Sequence, residues 1–134
     1  MENRVVFDTN IWISKIITGT LPTFVAWIFA HHIQALRSER STDELYAVLS
    51  RKKFEKHHID VQANMEVYKA LCKYCNTKTL FTDCVDVNDN FLFDLAIQGK
   101  AQYIVSSDKI VLATPLHHRK LQLLTFTQFK TIIG

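Results

Sequence analysis

The sequence predicts an α/β protein built on a mainly parallel, roughly five-stranded sheet with helices on both faces. Short runs of consecutive apolar residues recur along it, as strands require when both of their faces are covered, and helical patterns separate most of these runs. Strands joined through helices take right-handed crossovers and pair in parallel. At 134 residues, 48% of them apolar and 22% charged, the chain has the size and composition of one ordinary domain, and no internal repeat, low-complexity tract or linker divides it.

Residues 3–7 open the pattern with the run Val5, Val6, Phe7, which stops at Asp8. Residues 10–17 put Ile11, Ile13, Ile16 and Ile17 at helical spacing, and the break at 19–22 ends that helix. Pro22 suits the first turn of a second helix running to about His31. Residues 33–36 read as a strand. Ser41 or Thr42 can cap a helix over 43–51, whose apolar face is Leu45, Val48 and Leu49 and whose first turn holds Glu44. Met65, Tyr68, Leu71, Cys72 and Cys75 predict a helix over 59–75, and 77–82 looks strand-like. Asp89 starts a further helix that ends near Gly99. Strands over 103–106 and 121–124 and an amphipathic helix over 126–133 complete the order βααβααβαββα.

In an open parallel sheet, ligands bind beyond the carboxyl ends of the strands, where loops and helix starts converge. Four acids fall there. Asp8 ends the first strand, Glu44 begins the helix after the second, Asp89 precedes the helix leading to the fourth, and Asp108 follows the fourth. Carboxylates brought together without partners repel, so some keep their protons unless a cation neutralises them. A hard cation with oxygen ligands, Mg²⁺ or Mn²⁺, suits such a set, and it can polarise a phosphoryl oxygen and activate water, as phosphodiester hydrolysis requires. Each acid alone has a structural alternative, because Asp is a standard cap for helices and turns. Asp8 is the hardest to explain that way, since it closes a strand buried on both faces.

Four segments resemble the PIN-domain family, in the branch containing VapC-like toxins of bacterial toxin–antitoxin pairs. VVFDTNIWIS is similar to the family's opening strand with its Asp-Thr-Asn, and SERSTDELYAVLSRKKF to its Ser, Glu-Leu and Leu-Ser-Arg-x-Lys-Phe pattern. DVNDNFLFDLAIQGKAQYIVSSDKIVL resembles its Asp-x-x-Asp-Asn helix followed by a strand ending in Thr-Gly-Asp, and LQLLTFTQF is a weaker match to its closing strand and helix. Asp8, Glu44, Asp89 and Asp108 match the family's four acids. The chain departs at Ser106 and Ser107, where Thr-Gly is usual, and at Ile110, where a second Asp often follows. Ser106 keeps the hydroxyl, but Ser107 gives up glycine's backbone freedom.

The resemblance implies a three-layer α/β/α sandwich, Mg²⁺ or Mn²⁺ as cofactor, cleavage of single-stranded RNA, a small antitoxin partner and a homodimer. Under it, Asn10 and Ser106 position water or phosphate, with helix capping as the alternative role for Asn10. Asp86 is a loop acid near the rim. Asp94, about 140° around the helix from Asp89, is expected to support the site from behind or to face solvent. Arg51, Lys52, Lys53 and Lys56, with His57 and His58, form the densest basic cluster, which suits either RNA phosphates or a solvated helix end.

Other features carry less. Cys72 and Cys75 form a lone CxxC on the expected helix with no partner pair for zinc, and the three cysteines are an odd set of the kind a reducing compartment holds. The pairs His31/His32, His57/His58 and His117/His118 lack metal-ligand spacing. Trp12, Phe24, Trp27 and Phe29 suit a core or dimer interface. A net charge of +3 is compatible with a polyanion and decides little. No apolar run spans a membrane, and residues 1–8 lack a signal peptide's parts, so a cytoplasmic protein is expected. Two rival readings remain: another Mg²⁺-dependent phosphoryl-transfer or receiver-like domain, which would want a second acid at or near the first strand, and a catalytically silent PIN-like module that binds RNA or protein.

Overall fold

The computed structural model describes residues 3–117 and 120–134. Its strands are β1 (Asn3–Phe7), β2 (Ile33–Arg37), β3 (Lys73–Tyr74), β4 (Tyr103–Val105) and β5 (Gln122–Leu124). They form one sheet in the order β3-β2-β1-β4-β5, with every pairing parallel. The helices are α1 (Thr9–Ile17), α2 (Leu21–Ala30), α3 (Glu39–Leu49), α4 (Val61–Leu71), α5 (Asn90–Gln98), α6 (Lys109–Leu112) and α7 (Phe126–Ile133). Among the described residues, no helix is long and apolar enough to cross a membrane.

Strand alternation divides the core into two halves and produces the three-layer α/β/α sandwich. Val5 and Phe7 of β1, Ile33 and Ala35 of β2 and Val105 of β4 face one way, toward α1, α2, α3, α4 and α7. Val6, Leu36 and Ile104 face the other way, toward α5 and α6. The first half is aromatic: Phe7 meets Trp12, Phe24 and Phe129 edge to face at centroid distances of 5.8, 5.1 and 5.8 Å. The Trp12 indole N–H donates to the Phe7 carbonyl at 3.2 Å, so even its polar atom is satisfied in the core.

The structure corrects several sequence expectations. Ser38, not Ser41 or Thr42, caps α3: its hydroxyl accepts from the Ser41 N–H, and the Ser41 hydroxyl accepts in return from the Ser38 N–H. The helix therefore starts at Glu39, and Glu44 sits in its second turn rather than its first. Asp60 caps α4, which stops at Leu71, so Cys72 and Cys75 lie beyond the helix and not on it. Residues 77–82 are not a strand. The N–H groups of Leu80 and Phe81 donate to the Asp94 carboxylate, and that of Lys78 to the Gln98 side chain, so α5 holds this stretch by side chains instead of a ladder. The edge strand is Lys73–Tyr74, and the short α6 between β4 and β5 changes the order to βααβααβαβαβα. Trp12 and Phe24 are core residues, while Phe29 is exposed. His118 lies outside the described residues.

The topology fixes where a ligand would bind. From β1 the chain winds one way to β2 and β3, then crosses back over β1 to β4 and β5. The reversal lies between β1 and β4, where diverging connections open a crevice at the carboxyl ends of the strands. Asp8 follows β1 at that point and Ser106 follows β4, with Phe7 and Val105 paired in register between them.

Candidate functional site

The crevice is a cavity of about 380 Å³ whose walls include Asp8, Glu44, Asp89 and Asp108, each delivered by a different connection. Asp8 caps α1 and is nearly buried. Its Oδ1 accepts from the Thr9 N–H at 2.7 Å, and its Oδ2 accepts from the Ser106 hydroxyl at 2.7 Å and the Asn10 amide at 3.3 Å. Ser106, fully buried, also accepts the Asp108 N–H at 3.0 Å, so one hydroxyl joins two of the four acids. Asp108 caps α6 by accepting from the Ile110 N–H at 2.9 Å. Asn10 is inside α1 rather than capping it, and its side-chain Oδ1 accepts from the Ser107 N–H at 3.4 Å, a second tie between the two loops.

Burial and mutual repulsion set the acids of this cavity against their own ionisation. Burial pushes the Asp8 carboxyl above the usual range, the Ser106 and Thr9 hydrogen bonds pull it back, and the charges of Asp108 and Glu44 push it up again. Asp89 is pushed up to about 6, first by burial and then by Asp8, Asp86, Asp108 and Glu44. Asp89 closes a 3₁₀ turn at Val87–Asp89 and precedes α5, but makes no side-chain cap hydrogen bond. Among the described residues the one ion pair is Arg40 with Glu44 at 3.7 Å, one turn apart on α3.

The other expected residues divide. Asp86 caps the 3₁₀ turn through the Asn88 N–H and lies near enough to Asp89 to raise it. Arg51 and Lys53 line the cavity, whereas Lys52 and Lys56 are exposed outside it on the 3₁₀ turn Lys52–His57. Asp94 does not face solvent and does not line the cavity. It is 5% exposed, with its Oδ1 receiving the Leu80 and Phe81 N–H groups at 3.0 and 2.8 Å. It therefore fastens a loop. Thr9, Ile13, Ser14, Val48 and Phe54 also line the walls and were not anticipated as site residues. Only Ser14 carried a readable signal, one helical turn after Asn10.

Hard oxygen donors with uncompensated like charge are the donor set a divalent cation takes. Among the described residues no three His, Cys, Asp or Glu side chains are already gathered into a coordination shell. The fit is therefore to an ion that retains water, as Mg²⁺ does when one or two carboxylates hold it.

The raised carboxyls make the metal-free protein pH-sensitive in a defined direction. Asp89 holds its proton up to about 6 in the fold against 3.8 when free, so the folded chain binds more protons inside that window. Stability from this group is thus lost as pH rises through the window, and Asp8 adds in the same direction. Asp89→Asn should raise the melting temperature in chelator, and by more at pH 7.5 than at pH 5. Parallel melts of both proteins check this, and a gain independent of pH would contradict it.

Comparison with known proteins agrees with the geometry. A chain of the crystal structure of VapBC2 from Rickettsia felis, bound to a DNA fragment from their promoter, superposes with a TM-score of 0.63. The match covers 92% of this chain and 98% of that one at 16% identity, a likeness of fold. No protein of curated function matches the sequence. The family model described as PIN domain matches residues 4–110, a span that includes all four acids, and the chain belongs to the PIN-domain family.

Proposed function

We propose that this chain is a Mg²⁺- or Mn²⁺-dependent endoribonuclease that hydrolyses phosphodiester bonds of single-stranded RNA, as the toxin of a toxin–antitoxin pair. One observation carries the reading: Asp8, Glu44, Asp89 and Asp108 share one cavity at the strand-order reversal, with Arg40 beside Glu44 as the sole ion-pair partner among the described residues. These four carboxylates would hold the ion, some of them through water that it retains. When bound, it would polarise the scissile phosphate and lower the pKa of water, which is the chemistry hydrolysis requires.

The chain's own groups would supply placement. Ser106 and Asn10 fix the Asp8 carboxylate, and Ser106 also fixes the Asp108 backbone, so two ligands keep their spacing. Arg51 and Lys53 at the cavity wall would hold RNA phosphates and thus position the strand without reading its sequence. The VapBC2 likeness supports a small antitoxin as partner; a homodimer and a cytoplasmic setting are part of the same proposal and rest on the resemblance in sequence.

Purified chain with Mn²⁺ should cut single-stranded RNA to fragments bearing 5′-phosphates. Excess chelator should stop it, and Glu44→Gln should leave the fold intact while removing cleavage. Undiminished cutting in chelator, or by Glu44→Gln, would take the acids out of the mechanism. Calorimetry showing no Mn²⁺ or Mg²⁺ binding would favour a silent binding module.

A further inference from the structure

A second cavity, of about 180 Å³, lies between α1, α2 and α7 and has the opposite charge character. Lys15 and Lys130 both line it, with Trp27 and Phe126 as aromatic walls and Thr20 and Thr23 at the start of α2. Both ammonium groups rest on one ring: the Lys15 Nζ lies 4.3 Å from the Phe126 centroid and the Lys130 Nζ 5.2 Å from it. No carboxylate lines the cavity, and among the described residues neither lysine has an ion-pair partner. Lys15 is half-buried, and its ammonium is held below the usual lysine range by that burial and then by Lys130.

We infer that this cavity binds a phosphate monoester, with Lys15 and Lys130 as its counter-charges. Two like charges over one ring, that of Lys15 half-buried, gain most from an anion that neutralises both. A carboxylate supplies one negative charge and a monoester phosphate close to two, with three acceptor oxygens for the two ammonium groups. The rings do not offer a base-stacking platform, because Trp27 is enclosed by Phe24, Phe126, Phe129 and His31, and Phe126 carries the lysines. The start of α2 adds to a site that the lysine pair defines: Thr20 makes no side-chain cap bond, its hydroxyl being engaged with Thr18 and the Lys15 carbonyl.

The shared chemistry has two sources, a free nucleotide or inorganic phosphate, and the 5′-phosphate end of an RNA strand. Assignment to RNA rests on the nuclease reading; the phosphate site does not.

The test is titration of the full chain in chelator, where no cleavage occurs. The probes are inorganic phosphate, adenosine 5′-monophosphate, and one short single-stranded RNA with either a 5′-phosphate or a 5′-hydroxyl. Phosphate should bind the native chain and bind Lys130→Gln and the double variant Lys15→Gln/Lys130→Gln at least about tenfold more weakly. Lys130 is exposed, so its variant should melt like the parent. Preference for the 5′-phosphorylated RNA would assign the site to RNA ends, and indifference would assign it to small phosphates. No phosphate binding, equal binding by both variants, or lysine-dependent preference for an oligoglutamate peptide would overturn the proposal. A chain that binds phosphate here yet never cuts RNA with Mn²⁺ would sink the nuclease reading and leave this site standing.

Discussion

A chain carrying Asp8→Asn should remain folded and lose Mn²⁺-dependent RNA cleavage by roughly 10²-fold or more. The substitution is isosteric, and the oxygen that accepts the Thr9 N–H is retained, so α1 keeps its cap. The other carboxylate oxygen becomes an amide donor, so the Asn10 amide loses its acceptor and the Ser106 hydroxyl must turn to accept from it beside the Asp108 N–H. What disappears is a buried negative charge that Asp108 and Glu44 oppose. In chelator the loss of this charge opposes the loss of the two hydrogen bonds, and the variant should melt within a few degrees of its parent. With Mn²⁺ the parent should melt higher than the variant, because a cation that binds only the folded state stabilises it in proportion to its affinity, and the variant has lost a ligand. Melting curves with and without Mn²⁺, beside a cleavage assay, measure both. A variant that melts well below its parent in chelator would show that Asp8 is held for structure, and cleavage at the parent's rate would remove it from the site.

How far the sequence anticipated this arrangement depended on the range of the interactions involved. The run Val5, Val6, Phe7 ending in Asp8 was readable because a central parallel strand is apolar on both faces, and its first polar residue must then lie at the rim. The same logic placed Asp108 after Tyr103–Val105, so the four acids were brought to one cavity by topology alone. Errors arose where a distant partner decided the local structure. Leu80 and Phe81 resemble strand residues, but their N–H groups answer to Asp94 on α5, a partner that no local pattern reveals. The same contact explains Asp94: it does not line the cavity that Asp89 lines, and a loop rather than solvent meets it. β3 has two exposed residues, Lys73 and Tyr74, and α6 only four, both too short for periodicity to register. At α3, three hydroxyl residues competed as caps, and the reciprocal Ser38–Ser41 pair won because it satisfies two backbone-facing groups where a single cap satisfies one.

Ser106 is where the chain departs from its family's usual Thr, and the structure makes the hydroxyl, not the methyl, the group that matters. Ser106→Ala should slow Mn²⁺-dependent cleavage by about 10- to 100-fold and cost roughly 1–3 kcal/mol of stability. The stability loss follows from two groups that lose a partner at once, the Asp108 N–H and the Asp8 Oδ2, which keeps only the longer bond from the Asn10 amide. The activity loss follows from geometry: Asp8 arrives from β1 and Asp108 from β4, and this hydroxyl bonds to both residues. The bond from the Ser107 N–H to the Asn10 side-chain Oδ1, at 3.4 Å, is the weaker tie that would remain. Removing the hydroxyl also removes the hydrogen bond that lowers the Asp8 carboxyl, so its titration should move up and the rise of activity with pH should shift toward higher pH. Ser106→Thr keeps the hydroxyl and adds one methyl in a fully buried position. It should restore the pH profile even if packing costs it some stability, which separates a role in holding the acids from one in filling space. If Ser106→Ala matched the parent in rate and pH profile while losing stability alone, the hydroxyl would be a packing feature and the acids would need another source of alignment.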